Sequence, residues 1–336
     1  MKTTTIIYNP MSGRPGRRAE NVRAMQRLLD ARGIHSEAQA TAGPGDATHL
    51  AREAVSSNLD LIIAYGGDGT INEVVQGMAG SHTPLAIWAG GTSNVVAKDL
   101  GLTFNTDQLA EVFAVGKIKR VSLGCATSGS GFGVQGLGSA NAGSEKESQD
   151  LISRLESDPP GAPQTRNPEP RTLERYFLMM AGIGLDASIA RGANTRLKRK
   201  TGEFAYWVSG IKHLLAWKPE LFSLEVDGRT FESGFVLIGN GKGYGGGMMM
   251  TPNARLEDAW FEVYILPPLA NNFSYLRALA ACMRGKPEIA GAMLVQARHV
   301  TANSSHQPWV ELDGELIGPL PMTFDVVPDA LSLVVP

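Results

Sequence analysis

The sequence predicts two units in one chain: an α/β unit with a mostly parallel sheet, followed by an antiparallel β unit. Three observations carry this. Strand-like and helix-like runs alternate from the start to about residue 100. From about residue 118 strand-like runs become frequent and helices rarer. Three of the early strands end in glycine-containing turns, which a parallel sheet places along one edge, where such folds bind ligands.

Residues 3–8 (TTTIIY) read as the first strand. Residues 17–32 place Val22, Met25, Leu28 and Leu29 at helical spacing. Ile34–Ala40 is the second strand. Asp46–Ser56 is a helix with Leu50, Ala51, Ala54 and Val55 on one side. Leu59–Tyr65 lacks polar alternation, as a strand buried on both faces does. A helix through Ile71, Val74, Val75 and Met78 follows, then strand Leu85–Trp88 and helix Ser93–Leu100. Beyond these, Ile118–Leu123, Tyr176–Ala181, Phe222–Val226, Gly234–Gly239, Trp260–Leu266, Ala297–Ala302, Trp309–Leu312 and Thr323–Val327 read as strands. Glu203–Leu215 and Phe273–Met283 read as helices, and Leu331–Val335 is a strand open to either unit. Residues 126–171, rich in Gly and Ser and then in Pro, read as a flexible insertion.

Composition narrows the function. The 336 residues are 43% hydrophobic and 19% charged, as in an ordinary soluble globular protein. A net charge of −2 provides no basic field for nucleic acid. Cys125 and Cys282 form no CxxC pair, and the six histidines show no metal-ligand spacing; this suits a reducing cytoplasm. The start MKTTTIIYNP has no signal-peptide pattern, and no apolar run is long enough to cross a bilayer. Contact with a membrane is therefore expected to be peripheral, at its inner surface.

The turns point to chemistry. Gly66-Gly67-Asp68-Gly69-Thr70 links a buried strand to a helix. Glycines let an anion approach the backbone, and the first N–H groups of the helix point at it. Asp68 is itself an anion, so it fits beside a phosphate only with a bridging cation or as an acceptor of a hydroxyl proton. That combination implies Mg²⁺ and phosphoryl transfer; the alternative is a tight turn with Asp near a helix start. Tyr8–Gly13 (YNPMSG) and Ala89–Gly101 (AGGTSNVVAKDLG) repeat the device, with Thr92 as donor and Ser93 or Asn94 as cap. None of these three turns is a P-loop or a GxGxxG turn.

In order and spacing, Asn9-Pro10-x-Ser12-Gly13, Gly66–Glu73 and Gly91-Thr92-x-Asn94 resemble the diacylglycerol kinase catalytic domain of soluble bacterial lipid kinases, relatives of the sphingosine and ceramide kinases. The resemblance continues through GIGLDASIA, GEFAYW, GNGKGYGGGMMMTPNARLED and ELDGE, over nearly the whole chain except 126–171. It implies an NAD kinase- and phosphofructokinase-like α/β domain at 1–120 plus about 328–336, and a β-sandwich domain at 121–327. The last strand would return to the first domain. ATP would contact Asn9, Pro10, Met11, Ser12, Gly13, Thr41, Gly66, Gly67, Asp68, Gly69, Thr70, Ile71, Asn72 and Thr92. Asp258 with the carbonyls of Arg255 and Trp260 would hold a structural Mg²⁺. Glu315 would be the proton acceptor and Asp68 the metal-side residue, or Asp68 the acceptor, as the sphingosine kinases assign it.

The acceptor would be diacylglycerol or a similar lipid at a membrane surface. NAD kinase, and a catalytically silent lipid- or nucleotide-binding protein, are the alternatives. The chain departs from the family in two places. Val95 stands where Asp follows Asn, and Ala259 where Gly follows Asp; at a positive φ, alanine costs about 1 kcal/mol. The basic run in Asn194–Lys200 reads as a solvated face or a contact for anionic headgroups. Gly245–Met250 reads as core packing or an adaptable apolar surface. Arg14, Arg17 and Arg18 read as phosphate contacts or as a solvated loop and helix start.

Overall fold

The computed structural model describes residues 2–11, 17–128, 173–185, 187, 219–244, 248–269, 271–284, 286 and 291–336. The helix at 203–215, the basic run at 194–200 and the insertion from 129 onward lie outside the described residues, as do Ser12, Gly13, Arg14 and Gly245–Gly247.

β1 (Lys2–Tyr8), α1 (Arg17–Asp30), β2 (Ile34–Ala40), α2 (Asp46–Ser56), β3 (Leu61–Gly66), α3 (Asp68–Met78), β4 (Pro84–Ala89) and α4 (Val95–Asp99) follow the expected alternation. The sequence reading has no element at Thr106–Val115, where α5 forms. Its signals are local: the Asn105 side chain accepts from the Gln108 N–H, and Leu109, Ala110 and Phe113 form a buried stripe. Then come β5 (Lys117–Ser128), β6 (Glu174–Phe177), β7 (Met180–Gly184), β8 (Phe222–Val226), β9 (Arg229–Ser233) and β10 (Phe235–Gly239). The short pair β11 (Gly243–Tyr244) and β12 (Met248–Met249) precedes β13 (Phe261–Leu266) and α6 (Asn272–Met283). β14 (Met293–Ala297), β15 (His299–Asn303), β16 (Trp309–Leu312), β17 (Glu315–Pro319) and β18 (Met322–Val335) complete the described elements.

A ten-stranded sheet runs β2-β1-β3-β4-β18-β15-β8-β9, with β5 paired to β18 and β6 to β5. Its first four strands are parallel. A six-stranded antiparallel sheet, β14-β13-β10-β7-β16-β17, packs on its C-terminal half. Between them lies a core that includes Phe177, Ile183, Leu224, Val236, Phe261, Val300 and Phe324. Thr323–Val327 and Leu331–Val335 are one strand. β18 pairs with β5 along its length, bulges between Val327 and Leu331, and runs parallel to β4 at Ser332 and Leu333.

Two expected strands are each two. Tyr176–Ala181 divides into β6 and β7, and Ala297–Ala302 into β14 and β15, with the halves in different sheets. The two breaks are held alike. Asp313 accepts the N–H groups of Leu178, Met179 and Met180 at 2.7, 3.0 and 2.9 Å. Asp227 accepts those of Arg298 and His299 at 3.1–3.3 Å. Each aspartate opens a two-residue Asp-Gly hairpin turn with positive φ at both positions: 43° and 80° at Asp227-Gly228, 48° and 89° at Asp313-Gly314. The expected insertion also begins too early, because Ala126–Ser128 belong to β5, where Ala126 and Thr127 pair with β6.

Candidate active site

The C-terminal ends of β1 to β4 carry the predicted turns. Backbone bonds pin them together: Thr41 N–H to Tyr8 O at 2.9 Å, Asn9 N–H to Tyr65 O at 3.4 Å, and Gly90 N–H to Gly66 O at 2.7 Å. Two glycines answer to packing. A Cβ on Gly66 would lie 2.4 Å from that of Thr70, and one on Gly91 would lie 2.7 Å from the Gly67 Cα. Gly69 is different. It is exposed, and among the described residues a Cβ there would meet only Glu315 Oε1, at an ordinary 3.5 Å. Nothing in the packing of the described residues requires glycine at 69, so its bare backbone leaves α3 open to a ligand.

α3 begins without a side-chain cap at Gly67. Ile71 N–H is the first to find an acceptor, Gly67 O at 3.1 Å. Among the described residues, the N–H groups of Asp68, Gly69 and Thr70 meet no acceptor. An uncapped helix start of this kind attracts an anion. Ile71 and Asn72 face inward instead. Ile71 is core, and the buried Asn72 accepts from Gln76 at 3.1 Å. Any contact of these two residues with ATP would therefore be through the backbone.

Asp68 is occupied. Its two oxygens accept the N–H groups of Asn94 (3.0 Å) and Val95 (2.8 Å), so it caps the start of α4 from outside that helix. The Asn94 side chain, expected as a cap, closes the turn on Gly91 by two hydrogen bonds of 2.8 and 3.1 Å. Thr92 stands exposed at this turn. Val95 packs partly buried against the core, and its methyl approaches the β11 backbone at Gly243. That apolar contact suits valine where the family has a carboxylate. Arg18 is buried, stacked 4.2 Å above the Tyr65 ring and bonded to Gly90 O. Tyr65 in turn stacks on Trp88 at 3.7 Å. Arg18 therefore supports the Gly90 turn from beneath.

Across from α3 lies the Asp313-Gly314 hairpin, which delivers Glu315. One Glu315 oxygen, Oε2, meets Arg175 Nη2 of β6 at 3.3 Å; the other faces Gly69. Burial raises the proton affinity of Glu315. Arg175 opposes this, while Glu73 and Asp313 add to it. Glu73 accepts the Ala47 N–H at 3.2 Å, and burial raises its pKa as well. Burial pushes Asp313 up to about 6 despite its three N–H donors. Sequence reasoning missed Glu73, Arg175 and Asp313; for Asp313 the Asp-Gly hairpin signal was present.

The predicted metal loop is docked on β5. Ser122 donates its hydroxyl to Asp258 O and its N–H to Leu256 O, each at 2.7 Å, and Lys119 pairs with Glu257 at 2.7 Å. Arg255 O accepts the Asp258 N–H at 2.9 Å. Among the described residues the Asp258 carboxylate meets no donor and no cation, and no cluster of three His, Cys, Asp or Glu is placed to hold a metal. Ala259 is not among the residues of positive φ, so the strain expected of alanine there is absent.

Comparison with known proteins accounts for both units. The diacylglycerol kinase catalytic domain model matches residues 3–126. The YegS C-terminal NAD kinase beta sandwich-like domain matches residues 180–335. The chain is 29% identical over 329 residues to the diacylglycerol kinase of Bacillus subtilis (strain 168), covering 96% of this chain and 93% of that one. It is 26% identical to the diacylglycerol kinase of Staphylococcus aureus (strain MRSA252), over 96% and 89%. The crystal structure of a diacylglycerol kinase from Bacillus anthracis str. Sterne shares the fold, with a TM-score of 0.70 at 21% identity, over 100% of this chain and 97% of that chain. The two domain matches follow each other along nearly the whole sequence, and the chain belongs to the diacylglycerol kinase catalytic-domain family.

Proposed function

We propose that the protein is an ATP-dependent lipid kinase, which transfers the γ-phosphoryl group of ATP to a hydroxyl of diacylglycerol or a similar lipid. The observation that carries this reading is the Glu315 carboxylate, held 3.5 Å from the Cβ position of Gly69 at an uncapped helix start. A base and an anion site thus face each other. The relatives' activity agrees with it.

ATP would lie along the turns after β1 to β4. Its contacts would be Asn9, Pro10, Met11, Thr41, Gly66 to Thr70 and Thr92, with Ser12 and Gly13 beyond the described residues. Glu315 takes the proton from the lipid hydroxyl, whose oxygen attacks the γ-phosphorus. The bond to the bridging oxygen breaks and ADP leaves. Asp68 holds the Gly90–Asn94 turn in place beside the phosphates. The predicted donor set fits a hard dication: it is all oxygen, and of the loop's two carboxylates Glu257 pairs with Lys119 while Asp258 meets no partner among the described residues. Asp258 and the carbonyls of Arg255 and Trp260 would hold Mg²⁺, which would supply local charge neutralisation and a fixed loop. Residues 1–120 with 328–336 would bind the nucleotide, and 121–327 the lipid. Both boundaries fall within β5 and β18. No described helix is long and apolar enough to cross a membrane, so the lipid would be met at a membrane surface.

The test is ADP release from ATP over a panel of diacylglycerol, monoacylglycerol, phosphatidylglycerol, sphingosine and ceramide vesicles, with NAD as a separate acceptor. Lipid-dependent release lost in E315Q is expected. Phosphorylation of NAD alone, or no release with any acceptor, would sink the proposal.

A further inference from the structure

We infer that Arg175 is a positioning residue for the base: it anchors one oxygen of Glu315, turns the other toward the start of α3, and keeps the carboxylate charged until the lipid hydroxyl arrives. Gln76 fixes the strand that carries Arg175. This rests on the reading of Glu315 as the base.

The geometry is specific. Arg175 Nη2 is 3.3 Å from Glu315 Oε2, with the two side chains 30% and 36% exposed. The pair is shielded enough for charge to matter and open enough for a substrate to reach Oε1. Arg175 sits on β6, a four-residue edge strand that pairs with β5 on one side. On the other side the Gln76 amide substitutes for a neighbouring strand. It donates to Tyr176 O at 2.7 Å and accepts the Tyr176 N–H at 3.0 Å. Its Nε2 also reaches Asn72 at 3.1 Å, within the same helix. α3 thereby holds the anion site at its start and the counter-ion of the base along its flank. Movement between them is limited to the flex of one helix.

Charged groups reach Glu315 from three elements: Arg175 from β6, Glu73 from α3 and Asp313 from its own hairpin, with Asp68 acting on Asp313. Arg175 opposes burial and two carboxylates, Glu73 and Asp313. Removing it and removing Glu73 must therefore move the base in opposite directions.

The experiment is the pH profile of kcat/KM for R175M, R175K, E73Q, Q76L and E315Q on the full chain, with melting temperatures alongside. In R175M the acid limb should move up by about one pH unit, so that activity falls about 10-fold below the limb and recovers at alkaline pH. R175K should restore the wild-type limb. Q76L should move as R175M does, by less, and E73Q should move down. A uniform loss at every pH in R175M, or limbs of R175M and E73Q moving the same way, would overturn the inference. Wild-type turnover in E315Q would instead remove the reading of the base beneath it.

Discussion

The two Asp-Gly hairpins, at Asp227 and Asp313, are built alike and used differently. Each makes a two-residue turn with positive φ, and each sends its carboxylate to the N–H groups where the chain leaves one sheet for the other. At Asp227 those bonds are exposed and 3.1–3.3 Å long. At Asp313 there are three, of 2.7–3.0 Å, around a carboxylate whose pKa burial raises to about 6. The residue after the second hairpin turn is Glu315; after the first it is Arg229, in an edge strand. A common device for changing sheets thus becomes part of a site where it is buried and where the next residue faces a helix start.

The sharpest break of this comparison comes from Glu315 itself. Glu315→Gln should lower turnover by at least about 10²-fold, with little change in melting temperature. A rate near that of the parent would leave the second hairpin as structural as the first. Next in size, Asp313→Ala should cost about 2–3 kcal/mol in urea denaturation, since it strands buried N–H groups. Asp227→Ala should cost under about 1 kcal/mol, because water replaces the lost partner. Equal costs would erase the distinction.

Asp68→Asn leaves one acceptor oxygen at the start of α4, so one of the two N–H groups of Asn94 and Val95 loses its partner. It should cost about 1 kcal/mol and raise KM for ATP more than it lowers kcat. A kcat loss matching that of Glu315→Gln would return Asp68 to the role of base. A separate effect is in pH. Asp313 binds its proton more tightly folded than unfolded, so its protonation stabilises the fold below the ordinary carboxylate range. That gain is lost as pH rises through about 6. Stability curves of Asp313→Asn should lack this component between those limits, and an unchanged curve would refute the assignment.

What was legible in the sequence was local. Ile34–Ala40 and Asp46–Ser56 form as read, because period and boundary signals lie within each segment. The glycine turns were readable for the same reason. The sheet switches at Leu178 and Arg298 were not, because a continuous apolar run does not encode which sheet its halves join. Arg175 and Gln76 carry no motif, and the Gly66–Glu73 stretch does not tell that Glu73 faces Glu315. They converge only because β6 returns beside α3 after a long excursion of the chain. Glu315 entered through family resemblance, and only the fold brings its oxygen to Gly69.

β18 fills the place beside β4 with residues made some 250 positions later in the sequence. During synthesis the N-terminal sheet is therefore left with an unfilled edge at β4 until Leu333 has emerged from the ribosome. The unit made first is finished last, and exposed pairing groups at that edge need protection in the meantime.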